Sequence, residues 1–190
     1  MTKPYMKIAI ASALKDLVRK KSFQKITIND IITVCEISKQ TFYNYFKDKT
    51  DLIIFTCTLE AKKILKEAML SADDYKTAIM QYYEDALRQK YFYRAFIKED
   101  YLRNILFNAV ADCSSKHVTS QIEHYCGSMP ISQELTLVIH FNAAGNAHLF
   151  VEWICGGMTT PPDIMAAANY TCIPEPLKQY FNCDKISALY

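Results

Sequence analysis

No glycine occurs in the first 126 residues of this 190-residue chain; all four lie between Gly127 and Gly157. That absence removes several ways of folding and of working. A dinucleotide-binding fingerprint and a phosphate-cradling loop both need glycine where backbone approaches phosphate, and two-residue hairpin turns favour it where φ is positive. What remains is 51% hydrophobic and 22% charged, and long enough to bury one sizeable core or two small ones. No segment alternates as a strand would, and the apolar residues recur at helical spacing. The expected fold class is therefore all-α, with about nine helices.

Ile10, Ala13, Leu14, Leu17 and Val18 form the apolar stripe of a first amphipathic helix. Thr27 and Asp30 make a capping-box-like start for a short second helix through Ile28, Ile31, Ile32 and Cys35. Ser38 can cap a third, in which Phe42 and Phe46 share one side. Two short helices joined by a tight turn are a helix-turn-helix candidate. From Asp48 or Thr50 a long helix carries Leu52, Phe55, Leu59, Ile64 and Leu65, and Ser71 to Asp74 read as a linker. A helix through Ala78 to Leu87 follows, and the Tyr/Phe-rich piece Tyr91 to Ile97 leads to another, roughly 101–125, ended by Gly127 and Pro130. Ser132 caps an apolar helix from Leu135 to Ile154, Pro161 or Pro162 opens a shorter one, and Pro174 and Pro176 precede the last.

Charge divides the chain. Residues 1–50 hold ten Lys/Arg against four Asp/Glu, a net +6, whereas residues 51–190 hold twelve against sixteen, a net −4. The expected organisation is a DNA-binding domain over 1–49 and a helical ligand-binding and dimerisation domain over 50–190. The seven cysteines are scattered, odd in number and never spaced C-x-x-C, which fits reduced thiols in a cytoplasmic protein. No apolar run is long enough to span a membrane, so no membrane partner is expected. His117 and His124 lie two turns apart on one helix, too far to share a metal, and read as a solvated or capped pair. With no Glu-x-x-His pair and no nucleophile–base arrangement, an enzyme, a metal and a cofactor are not expected. The alternative is a helical-bundle protein with a non-DNA role, a partner-binding scaffold or a small-molecule enzyme.

The third helix lies inside the only net-positive stretch, and a second helix of such a pair can enter the DNA major groove with its first residues at base edges. Lys39 suits guanine acceptors, Gln40 suits adenine, and Thr41 offers a hydroxyl and a methyl for thymine. Tyr43, Asn44 and Tyr45 are groups that a purely structural helix does not need. Lys47 and Lys49, with Thr27 across the motif, suit phosphates, which set register without reading sequence.

Thr27-x-x-Asp30-Ile31-Ile32, then Cys35 to Phe46, then Lys47-Asp48-Lys49-Thr50-Asp51-Leu52, resembles the N-terminal signature of TetR/AcrR-family transcriptional regulators over residues 8–53. The resemblance implies base contacts from Lys39, Gln40, Thr41 and Asn44, together with Asn29. It implies phosphate contacts from Thr27, Ser38, Tyr43 and Lys49, with Tyr45 suited to either role, and a core position for Phe42 and Phe46. Two positions depart from the pattern. The family's usual glycine in the turn is Glu36, and its usual glycine after the first helix is Ser22. If Glu36 takes a left-handed conformation the turn carries strain; if not, its geometry differs from the family's.

A fifty-residue reader alone binds a half-site weakly, and a two-fold dimer remedies that by reading a palindromic operator. The run Phe141 to His148 is rich in small residues, which makes Ala143, Ala144, Ala147, His148 and Phe150 the expected dimer interface. The resemblance implies the same, since these regulators generally pair through their last long helices. Residues 135–165 more distantly resemble the C-terminal domain of the dihydroxyacetone-kinase-regulator branch. Between the helices of the body an unidentified small-molecule effector is expected, against Tyr82, Tyr83, Tyr93, Phe96, Tyr101, Phe107, Phe141 and Trp153. The functional expectation is a ligand-responsive homodimeric repressor.

Overall fold

The apolar stripe of the first helix is buried as its spacing predicts: Ile10, Leu14 and Leu17 turn inward against Phe23, Ile26 and Ile31. The structure, a computed structural model, describes residues 3–67, 72–126 and 130–180. Among them are ten α-helices and no strand: α1 (Lys3–Lys20), α2 (Ile28–Cys35), α3 (Lys39–Tyr43), α4 (Lys49–Glu67), α5 (Ala72–Arg88), α6 (Lys90–Phe96), α7 (Asp100–Cys126), α8 (Gln133–Cys155), α9 (Pro162–Thr171) and α10 (Glu175–Lys178). A 3-10 turn, Phe23–Lys25, links α1 to α2. Ser71 and Gly127, expected to punctuate the chain, lie outside the described residues.

The tenth helix is α6. The Tyr/Phe-rich piece expected only to lead into α7 is a separate helix, because the backbone leaves helical geometry at Gln89 (φ −99°, ψ 23°) and Phe92 and Tyr93 then anchor the new axis in the core. Aromatic residues have middling helix propensity, so tertiary burial decides this segment.

Two start signals act as expected, whereas Ala72 to Asp74, expected in a linker, form the first turn of α5. Ser132 Oγ accepts the Leu135 N–H at 3.1 Å, and Pro162 sits at the first position of α9, where a missing N–H costs nothing. In the body α7 and α8 pack along each other, α5 lies on α9, and α4 bridges α5 and α7. Phe150 of α8 fills the centre, with ring centroids 5.0 Å from Tyr82, 5.4 Å from Tyr93 and 5.9 Å from Tyr83. Trp153 closes the cluster and donates its indole N–H to the Thr160 carbonyl at 2.8 Å. The core is continuous from Ile10 to Leu177, and α4 belongs to both ends of it. Among the described residues no helix is long and apolar enough to cross a membrane.

Candidate nucleic-acid interface

Thr27 builds the start of α2 by a complete capping box. Asp30 takes the Thr27 backbone N–H and hydroxyl at 2.7 Å each and returns its own N–H to Thr27 Oγ1 at 3.1 Å. Lys21 reaches the same carboxylate at 2.7 Å. The Lys21 ammonium and the Thr27 donors together hold the Asp30 carboxyl well below its ordinary range. Ser38 caps α3, accepting the Thr41 N–H at 3.0 Å. This helix has five residues; at Asn44 it ends, and the N–H groups of Tyr45 and Phe46 fold back to the Phe42 carbonyl.

Burial divides α3 and its exit into two faces. Phe42 and Phe46 are 0% and 2% exposed, 5.9 Å apart, and the second rests on Phe55 of α4. Lys7 lies 5.5 Å from the Phe46 and Phe55 ring centroids, adding a cation–π contact. Outside stand Lys39, Gln40, Tyr43, Asn44 and Lys47, all exposed, with Asn29 and Ser38 exposed beside them; Thr41 and Tyr45 are half-buried.

Three residues expected on phosphate or base are already engaged. Thr27 is held in its capping box, and the Ser38 and Thr41 hydroxyls bond each other at 2.9 Å. The largest change concerns Lys49. Expected on a phosphate, it instead donates to the Phe23 and Ile26 carbonyls at 3.2 and 2.8 Å, with its ammonium 4.3 Å from the Phe23 ring centroid. The Phe23 carbonyl also accepts the Ile26 N–H at 3.1 Å, and the added bonds from Lys49 staple that turn to α4. Burial there lowers its pKa.

Sequence reasoning missed a second source of positive charge. Arg94 and Lys98, in the net-acidic body, line a cleft of about 360 Å³ with Arg19, Lys20 and Lys21 at the end of α1. Segments far apart in sequence join there, so no local signal marks it.

A second site lies in the body. Tyr82 and Tyr83 of α5 line a cavity of about 40 Å³ with Phe150 of α8. Its other walls were not expected: Cys57 and Thr58 from α4, Tyr75 from α5, His117 from α7, Asn146 from α8 and Asn169 from α9. Of the remaining expected residues, Tyr93 and Trp153 are core, and Phe107 packs half-buried on it. Phe141 is 77% exposed, and Tyr101 is exposed with its hydroxyl 2.9 Å from Thr50 Oγ1, tying α7 to the start of α4. The side chain of Phe96 lies outside the described residues. His117 is not half of a solvated pair: its ring stacks on Tyr75 at 6.1 Å with 5° between planes, and burial pushes its pKa down to about 4. Tyr82 Oη, His117 Nε2 and Asn169 Oδ1 are buried without a hydrogen-bond partner, an arrangement that costs about 1–3 kcal/mol per atom.

The outer face of α8 also differs from expectation. Ala143, Ala147 and Phe150, expected at a dimer interface, are at most 2% exposed inside the chain's own core. Ala144 and His148 do face outward, in a row with Leu137 (63% exposed), Phe141 and Gly145. A Cβ built on Gly145 meets nothing within 4 Å. Among the described residues no group of three or more His, Cys, Asp or Glu is placed to hold a metal.

Residues 10–54 match the N-terminal domain model of the bacterial regulatory proteins, tetR family. Residues 10–54 thus form an N-terminal domain of the tetR type. The HTH-type dhaKLM operon transcriptional activator DhaS of Lactococcus lactis subsp. lactis (strain IL1403) is 41% identical over 44 residues. That stretch covers 23% of this chain and 24% of the relative, so about a quarter of the relative's length is matched. A solved structure of the dihydroxyacetone kinase operon activator DhaS superposes with a TM-score of 0.61 at 18% identity, over 93% of this chain and 98% of that one. RolR in complex with resorcinol gives 0.54 at 14% identity, over 94% and 92%. At such identities the structural likeness is one of fold alone, and it runs through the body as well as the matched domain.

The TetR turn keeps its left-handed residue even without glycine. Glu36 has φ 53° and ψ 41°, its N–H bonds to the carbonyls of Ile32 and Thr33, and the Ile37 N–H reaches the Ile32 carbonyl at 3.1 Å. Of the two outcomes the sequence allowed, the strained one is found. Glu36→Gly is expected to raise thermal stability by about 1 kcal/mol; an unchanged or lower melting temperature would show the strain to be relieved elsewhere.

Proposed function

We propose that this chain is a cytoplasmic, DNA-binding transcriptional regulator that acts as a ligand-responsive homodimer on a palindromic operator. Residues 1–49 serve as the reader and 50–190 as the sensing and pairing body. The observation that carries the reading is the division of α3 and its exit into a buried Phe42/Phe46 face and an exposed row of Lys39, Gln40, Tyr43, Asn44 and Lys47. That row has the donors and acceptors that base edges and phosphates require. Arg94 and Lys98 extend the positive surface beyond the reader.

Selection from random DNA is expected to enrich a palindrome whose half-sites lie about 34–36 Å apart. Affinity for it should fall linearly on logarithmic axes with salt, by about 0.9 per phosphate contacted. Lys39→Ala and Gln40→Ala should each remove about 1–3 kcal/mol of discrimination at one base position. Failure to enrich any sequence, or binding indifferent to salt, overturns the reading in favour of a scaffold.

Pairing is assigned to the outer face of α8, where the apolar row Leu137, Phe141, Ala144 and Gly145 stands in solvent. Large apolar side chains in one row, beside a glycine with open space above it, suit a second copy of the same helix. Phe141→Glu is expected to convert a dimer into a folded monomer in sedimentation velocity. A variant that still sediments as the parent does removes α8 from the interface.

Effector response is assigned to α4. Its first turns carry Leu52 and Phe55 against the reader, and about 8 Å further along, at 1.5 Å per residue, Cys57, Thr58 and Ala61 line the body cavity. A ligand that favours one setting of α4 shifts the reader only if it binds the two settings unequally. Repression is the action proposed, because a dimer occupying its operator needs no further contact to block it. The Lactococcus relative is described as an activator, and a reporter driven by the selected operator distinguishes the two: repression raises expression when the chain is removed, activation lowers it.

A further inference from the structure

We infer that the body cavity is a site for a small, uncharged molecule carrying at least two hydroxyl or carbonyl groups, held by Tyr82, His117 and Asn169. The inference deepens the effector reading above and rests on it for its regulatory meaning, but not for binding itself.

Size comes first. The cavity has space for about three water molecules at 10–15 Å³ each, which limits an occupant to a handful of heavy atoms. Charge comes next. Among the described residues lining the cavity none is Asp, Glu, Lys or Arg, and burying an ion with no counter-charge is prohibitive. His117 supplies no hidden charge, since burial keeps its ring neutral near pH 7.

Polarity then fixes the class. A purely apolar occupant leaves three buried polar atoms unmet, and these come from three different helices: Tyr82 Oη from α5, His117 Nε2 from α7 and Asn169 Oδ1 from α9. Burial raises the Tyr83 pKa and a hydrogen bond from the Asn169 carboxamide offsets part of that rise, which leaves the Asn169 oxygen as an acceptor facing no donor. An occupant must therefore donate to Asn169 and exchange a second hydrogen bond with Tyr82 or His117. Tyr82 and Phe150 form an apolar wall for its carbon skeleton.

The test is ligand-observed NMR on the full chain with four probes of matched size at millimolar concentration: glycerol, hydroxyacetone, the anion glycerate and the cation ethanolamine. Glycerol or hydroxyacetone is expected to bind, and glycerate and ethanolamine to bind at least tenfold more weakly. Tyr82→Phe and Asn169→Leu, which keep side-chain size, should each weaken the neutral probes about tenfold. Two variants on separate helices guard against one failing to fold, and circular dichroism reports folding of each. Preference for a charged probe, neutral binding untouched by both variants, or no binding by any probe overturns the inference. Operator affinity measured with the same probes separates the two readings. Binding that leaves operator affinity unchanged upholds the site and overturns effector control, whereas operator binding with an empty cavity overturns the site and leaves the reader standing.

Discussion

Replacing Phe150 with alanine is expected to cost the fold about 3–5 kcal/mol. The ring is 1% exposed and sits at the centre of four others, from Tyr82 at 5.0 Å to Trp153 at 6.1 Å. Truncation removes the transfer free energy of a benzyl group and leaves a void, which the neighbours can close only in part. Tyr83 is wedged edge-on against Trp153, and the Trp153 indole is tethered to Thr160. The void also opens into the body cavity, whose wall Phe150 forms, so the variant should gain space there as it loses stability. Urea unfolding gives the magnitude. Sedimentation of the folded fraction gives the second half of the prediction: Phe150→Ala stays a dimer, whereas Phe141→Glu does not. If Phe150→Ala dissociates the dimer while folding normally, Phe150 belongs to the interface and its burial has been misread.

The contrast between Phe150 and Phe141 shows what a sequence can and cannot reveal. Start signals are legible because they act within three residues: Thr27 with Asp30, Ser38 with Thr41 and Ser132 with Leu135 all bond as their spacing predicts. The buried Phe42/Phe46 face of α3 is legible too, because polar residues mark the opposite side. Helix α8 offers no such mark. It is apolar almost all round, so nothing local says that Ala143, Ala147 and Phe150 turn inward while Ala144, His148 and Phe141 turn out. The cavity was half legible for a related reason. Aromatic residues pointed to the right region, but its polar complement, Asn146, Asn169 and His117, arrives from three helices whose meeting is a tertiary fact. Lys49 is the reverse case. Its charge and its place in the signature suggested phosphate, and only the folded turn supplies the two carbonyls that hold it.

Acid is expected to destabilise this protein in two separate windows. His117 is neutral in the fold, because burial pushes its pKa from 6.5 down to about 4. The unfolded chain therefore binds a proton that the folded chain refuses between those values. Stability falls as pH drops from about 6.5 to about 4, then levels off, with a total loss of about 3 kcal/mol at 1.36 kcal/mol per pH unit. Asp30 acts lower on the scale. Its carboxyl is held below the ordinary range by Lys21 and the Thr27 donors, so its contribution is intact above its unfolded pKa and is lost only as pH falls below that. Urea unfolding at intervals from neutrality to about pH 2 separates the two. His117→Phe keeps a ring to stack on Tyr75 and removes the titration, so its stability should decline by about 3 kcal/mol less than the parent's across the first window. Asp30→Asn should leave that window unchanged and flatten the second. Parallel curves for parent and His117→Phe between pH 6.5 and 4 would mean that His117 carries its proton in the fold. Below about pH 6.5 the cavity would then hold a positive charge, and there the preference for an uncharged occupant would give way to an anionic one.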